Sequence, residues 1–366
     1  MMSSTYHKNN GFWFPLSLIL YELPLYFSNN LFLPALPQIQ QAFAITNGTV
    51  QLSIALWFLG ASTCQVILGP LSDHYGRKKI LLLGGLLFLV ATAICSVTAS
   101  ITWFLAARFL QGCVVSTILI AGYATIHERL DRAQAIETIS WMGSITVMAP
   151  AVGPIIGSLL IHWMSWRWLF VGLIAWTVVS LYLLQVFMPV DPFQVKRLNL
   201  RKIQRDYRKV ITNVNFWRYT LAFCALFAGL MAWDTLSPFY LMGYLKFSVL
   251  QFGLLQALVY IFFILGINLQ TILIQSPDKF FLGGLIFAFS CFIFGLAVLL
   301  YFPQFLMVVM DCIIFFSVST GLIFYSLHRT AVEIPKAPMG TTIAVFSTAM
   351  NLFGFLGSLA ARAISF

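Results

Sequence analysis

Four ionisable side chains lie inside stretches otherwise too apolar for them: Glu22 in LILYELPLYF, Arg108 in LAARFLQG, Asp234 in LMAWDTLSP and Asp311 in VVMDCIIF. A charge at the centre of a bilayer is costly, so an acid there is protonated, paired or turned to a wet cavity, and function is its default reading. For Glu22 the chemistry is reversible protonation: ionised, it attracts a cation, and protonated, it releases one. A neutral structural carboxyl bonded to a neighbouring helix is the alternative. Tyr26 and Asn30 follow Glu22 at four-residue intervals, which places all three on one side of a helix, facing one cavity. For Tyr26 and Asn30, packing or polar lining is as open as direct substrate contact. Arg108 does not realistically lose its charge, so it needs acceptors or an acid. It serves either proton coupling electrostatically or as a hydrogen-bond hub. Asp234 and Asp311 are further titratable groups, and for Asp234 solvation near the outer surface competes with a coupling role.

The elements that position these residues are membrane helices. The 366 residues are 60% hydrophobic and only 9% charged, with a mean hydropathy of +0.90, a balance that makes the bilayer the solvent. Spans are expected at 12–34, 50–70, 79–99, 101–126, 136–160, 166–189, 218–243, 251–275, 280–301, 304–327 and 340–361, each near the ~20 residues that cross a bilayer. This pattern predicts a six-helix bundle over 1–189, a basic cytoplasmic linker over 190–217 and a five-helix bundle over 218–366. With the N-terminus inside, every Lys and Arg except Arg108, Arg167, Lys246 and Arg362 falls in a cytoplasmic segment, as the positive-inside rule requires. The net charge of +10 therefore reflects membrane orientation and not nucleic-acid binding. The first span is long, contains Glu22 and lacks a small-residue cleavage site, so it reads as a retained helix. All six cysteines fall within spans without metal-like spacing, which predicts neither disulfide nor metal. HExxH, GxSxG and nucleotide-binding loops are absent from the sequence, which argues against an enzyme. KKILLLGGLLF and DKFFLGGLIF each follow the second helix of their half, which suggests parallel repeats.

Three motifs carry a resemblance. GPLSDHYGRKK, Gly69 to Lys79, combines glycines for a tight turn at Gly69 and Gly76 with Asp73 and Arg77 at four-residue spacing. It resembles the signature loop of the major facilitator superfamily. ARFLQG around Arg108 resembles that superfamily's intramembrane-arginine motif. APAVGPIIG, with Pro150, Gly153, Pro154 and Gly157, resembles the antiporter motif of its drug exporters; the glycines allow close helix approach and the prolines bend the helix. LYELPLYFSNNLFLP, AGYATIHE and AWDTLSP are similar to segments of MdfA-type multidrug/proton antiporters.

The resemblance implies an all-α integral membrane protein with two pseudo-symmetric bundles rocking around a central cavity. It implies that Asp73 latches the bundles at the cytoplasmic side, near the start of the eleventh helix. Glu22 matches the family's helix-1 proton site, while the second acid of that family is replaced by Asn30, which cannot titrate. Glu128 pairs locally with Arg77 or Arg132, or else touches substrate. The family's twelfth helix has no counterpart among the eleven spans, which would place the C-terminus outside. The expected function is proton-coupled export of small lipophilic or cationic compounds across the bacterial inner membrane. Its partners are protons, small-molecule substrate and membrane lipids, with no cofactor, nucleic acid or obligate protein partner. The competing readings are a dedicated exporter of an endogenous metabolite such as a siderophore and a non-transporting truncated paralogue.

Overall fold

The computed structural model describes residues 2–189, 200–273 and 277–364, without the side chains of residues 2–11, 67, 70, 73, 200, 202, 271–273 and 277–281. The latch expected of Asp73 and the linker positions 190–199 therefore lie outside the described residues.

The first half contains α1 (Met2–Asn30), a short outer α2 (Leu36–Phe43), α3 (Asn47–Tyr75), α4 (Arg77–Val97) and α5 (Ile101–Thr117). A wider π-type turn, Ile118–Gly122, carries α5 into α6 (Tyr123–Arg129), and α7 (Arg132–Trp163) and α8 (Arg167–Phe187) follow. Next come α9 (Leu200–Ile211), α10 (Val214–Pro238) with a π-type continuation Phe239–Tyr244, α11 (Val249–Leu273), α12 (Pro277–Tyr301), α13 (Leu306–Glu333) and α14 (Met339–Ala361). Ten helices are long and apolar enough to cross a membrane among the described residues. The 29-residue α1 is the eleventh long helix, its mean hydropathy lowered by Glu22, Asn29 and Asn30.

Local chemistry sets the helix ends. Thr46, Asp131 and Asn213 cap α3, α7 and α10 by accepting from the backbone N–H three residues on, which satisfies donors that a helix start leaves unpaired. Gly76, at φ 92°, makes the sharp turn from α3 to α4, a conformation open chiefly to glycine. Pro24 lies inside α1 and has no N–H, which frees the carbonyl of Leu20. The Trp176 indole on α8 donates to that carbonyl at 3.0 Å.

The packing pattern repeats. In the first half α1 packs on α7, α3 on α5 and α4 on α5; in the second, α10 packs on α14, α11 on α13 and α12 on α13. The seam between halves is two-fold as well, α3 against α14 and α7 against α11. Glycines write the repeat into the sequence. A Cβ on Gly60 or Gly112 would meet backbone oxygens of the facing helix at 2.1 and 1.9 Å, and one on Gly266 or Gly321 would do so at 2.2 Å. Both α3–α5 and α11–α13 are thus backbone-close crossings, the arrangement that van der Waals packing favours in lipid.

Candidate functional site

Glu22 is fully buried in α1, and among the described residues neither carboxylate oxygen has a directed hydrogen-bond donor. Tyr26 and Thr146 of α7 stand beside it, yet the Thr146 hydroxyl donates to the Met142 carbonyl at 3.3 Å. Tyr123, just past the π-type turn, neighbours Glu22 and Tyr26 and, from the other bundle, Tyr325 of α13. At the neighbouring residue the surroundings are ordered differently: the Tyr21 hydroxyl donates to the Leu81 carbonyl at 2.9 Å. Asn30 does not join Glu22. Its amide donates to the Tyr26 carbonyl at 3.0 Å, and its Cβ packs where a side chain on Gly153 would be, at 2.7 Å.

Arg108, on α5, is fully buried, and all its acceptors are neutral. Its guanidinium donates to the carbonyls of Ser28 (3.0 Å) and Ser53 (3.3 Å) and to the side-chain oxygens of Asn29 (3.0 Å) and Gln111 (2.6 Å). The Phe32 ring lies 4.2 Å below it, close enough for a cation–π contact. Gln111 donates onward to Thr92 on α4 at 2.8 Å. The arrangement is a hub that joins α1, α3, α4 and α5, and no acid pairs with Arg108 among the described residues.

Asp234 is not solvated at the outer surface. It is 2% exposed and faces α11, where Gln256 donates to Oδ1 and the Tyr260 hydroxyl to Oδ2, both at 2.6 Å. The Gln256 oxygen in turn accepts from Trp233 and Ser237, each at 3.1 Å. Sequence reasoning missed Gln256 and Tyr260, although two polar residues four apart on an apolar helix mark one buried stripe. Asp311 is exposed near the start of α13 and is not brought to either buried acid.

At the cytoplasmic side Arg77 donates to Glu128 at 2.7 Å, a bridge between the start of α4 and the end of α6. Of the local partners open to Glu128, Arg77 is the one found. On α7 the helix runs unbroken through Pro150 and Pro154. Gly157 brings its backbone against α1's end: a Cβ there would lie 2.0 Å from the Leu31 oxygen. All six cysteines are free thiols.

Comparison with known proteins agrees with this architecture. The family model described as Major Facilitator Superfamily matches residues 18–358. The chain is 33% identical to the chloramphenicol resistance protein CraA of Acinetobacter baumannii, over 91% of this chain and 81% of that protein. It is 32% identical to the multidrug transporter MdfA of Escherichia coli O6:H1, over 68% of this chain and 60% of that protein. In the latter alignment the chain spans about three fifths of its relative's length. A solved bacterial homolog of the human lysosomal transporter Spinster superimposes with a TM-score of 0.72 at 15% identity, covering 96% of this chain and 81% of the other, and shares the fold. With the matched region running from α1 into α14 and the helices arranged as two related bundles, the chain belongs to the major facilitator superfamily, as a multi-pass transporter of the bacterial inner membrane and not an enzyme.

Proposed function

We propose that this chain exports small lipophilic, often cationic, compounds in exchange for protons, by alternating access between bundles that divide at 190–217. The observation that carries the reading is Glu22: a buried carboxyl that no cation pairs with among the described residues, and whose neighbouring Thr146 hydroxyl donates to the Met142 carbonyl. Such a group is complete only with a proton of its own or with a ligand's positive charge. Binding one excludes the other, so a single carboxyl couples two fluxes. The names of the relatives, a chloramphenicol resistance protein and a multidrug transporter, support drugs as the substrate class. The seam supports a swing between bundles. Gln51 on α3 donates to the Thr235 carbonyl on α10 at 3.4 Å, and a Cβ on Gly253 of α11 would meet Ser158 Oγ of α7 at 2.5 Å.

The test is transport in proteoliposomes under an imposed pH gradient. Glu22→Gln should lower gradient-driven uptake of chloramphenicol and of tetraphenylphosphonium at least about tenfold, because the amide cannot exchange a proton. Parent-like accumulation of both compounds by that variant would refute the assignment.

A further inference from the structure

Among the described residues of the membrane-spanning helices two carboxyls are buried, and their surroundings are opposite. Glu22, in the first bundle, has no directed donor at either oxygen among the described residues, its neighbour Thr146 donating to the Met142 carbonyl. Asp234, in the second, is met by a shell of directed donors. Trp233 and Ser237 both donate to the Gln256 oxygen, which fixes the amide so that its N–H points at Asp234 Oδ1, while the Tyr260 hydroxyl serves Oδ2. A carboxylate accepts only, so a shell made wholly of donors suits the ionised group. Among the described residues no lysine or arginine reaches it. The groups facing it are Gln256 and Tyr260 from α11 and its own neighbours on α10. Arg108 already holds its own four neutral acceptors in the other bundle.

A buried carboxyl held by directed donors and, among the described residues, without a counter-ion is placed to meet a cation in its ionised form. Aromatic rings accompany it: Tyr260 lies in the shell, and Trp233 stands 6.4 Å from Tyr240, surfaces that also favour positive groups. The site adjoins the seam, because the next residue, Thr235, takes the cross-half hydrogen bond from Gln51. Separation of the bundles there would loosen the wall around Asp234.

We propose that Asp234 supplies a second counter-charge for the positive group of cationic substrates, in the other bundle from Glu22, so that cation recognition does not rest on the proton-coupled carboxyl alone. The proposal rests on the reading of Glu22 as the proton carrier. Environment divides the roles of two otherwise similar acids.

The experiment uses purified protein and tetraphenylphosphonium, a lipophilic monovalent cation with no exchangeable proton. Asp234→Asn should weaken its binding at least about tenfold, the usual scale for removing one buried charged partner. In proteoliposomes the ratio of tetraphenylphosphonium to chloramphenicol uptake should fall by a similar factor, whereas Glu22→Gln lowers both together. Unchanged binding by an Asp234→Asn protein that melts like the parent overturns the proposal, and so does equal loss of both uptakes. Should Asp234→Asn not fold, modification of the parent by a hydrophobic carbodiimide, read residue by residue by peptide mass spectrometry, decides. Tetraphenylphosphonium slows modification of Asp234 if that carboxyl binds it, and an unchanged rate overturns the idea. Failure of the Glu22 reading is separate: both uptakes would then survive Glu22→Gln, while the binding measurement still judges Asp234.

Discussion

Arg108 holds a full positive charge away from water with four neutral acceptors and one aromatic face, drawn from three helices besides its own through Gln111. The planar fork of a guanidinium reaches all of these at once, whereas an ammonium is a compact point with three donors. Arg108→Lys should therefore strand buried acceptors and cost about 2–4 kcal/mol of stability. Thermal unfolding in detergent reads this as a lower melting temperature, and a Lys variant that melts with the parent would show the hub to be dispensable. The arginine and Gln111 were legible in the sequence because both stand in one motif three residues apart. Ser28, Asn29 and Ser53 were not, since they approach from 55 to 80 positions away and nothing local marks them. The same holds for Asp234. Its burial follows from α11 closing over it, so sequence alone left outer-surface solvation open.

At the scale of the elements, hydropathy found each of the eleven long helices but not their true ends. The span expected at 136–160 is a helix from Arg132 to Trp163, because Asp131 caps it in the cytoplasmic loop by accepting from Gln134 at 2.9 Å. The outer α2 went unread: eight residues are too few to show a periodic pattern. The π-type turns at Ile118–Gly122 and Phe239–Tyr244 leave no trace in composition either. The glycines of α7 were legible, and the structure says what each one meets. Gly157→Ala would drive a methyl to 2.0 Å from the Leu31 oxygen, a backbone atom that cannot turn aside, while a Cβ on Gly143 meets nothing within 4 Å. Gly157→Ala should thus part α1 from α7 and destabilise the protein by about 1–3 kcal/mol, the range for overpacking. Gly143→Ala should leave the melting temperature unchanged or slightly raised, as an alanine suits a helix better. Equal melting of the two variants would mean that the α1–α7 contact carries no stability.

For the whole molecule the question is what holds the outer ends of the bundles together, and the contacts name few groups. Gly253 of α11 leaves room for Ser158 and the Pro154 oxygen of α7, at 2.5 and 3.0 Å from where its Cβ would be. Gln51 bonds the Thr235 carbonyl at 3.4 Å, and Gly48 seats the Arg362 side chain. Among these contacts Gly253 makes the closest approach. A branched side chain at Gly253 acts as a wedge that penalises only the state with the outer ends together, so it shifts the population and not the fold of either bundle. Gln51 is 2% exposed in this state, which makes a cysteine there a reporter of separation. Gly253→Leu combined with Gln51→Cys should react with a membrane-impermeant maleimide from the outer side at least about fivefold faster than Gln51→Cys alone, because a shift of roughly 1 kcal/mol between two states changes their ratio by that much. The parent chain measures labelling of the native thiols, all six of which lie within helices. Drug uptake should fall alongside, since a transporter held open on one side cannot complete its cycle. Equal labelling rates in a folded Gly253→Leu protein would show that the α7–α11 contact does not gate the outer side, and alternating access would then need a different seam.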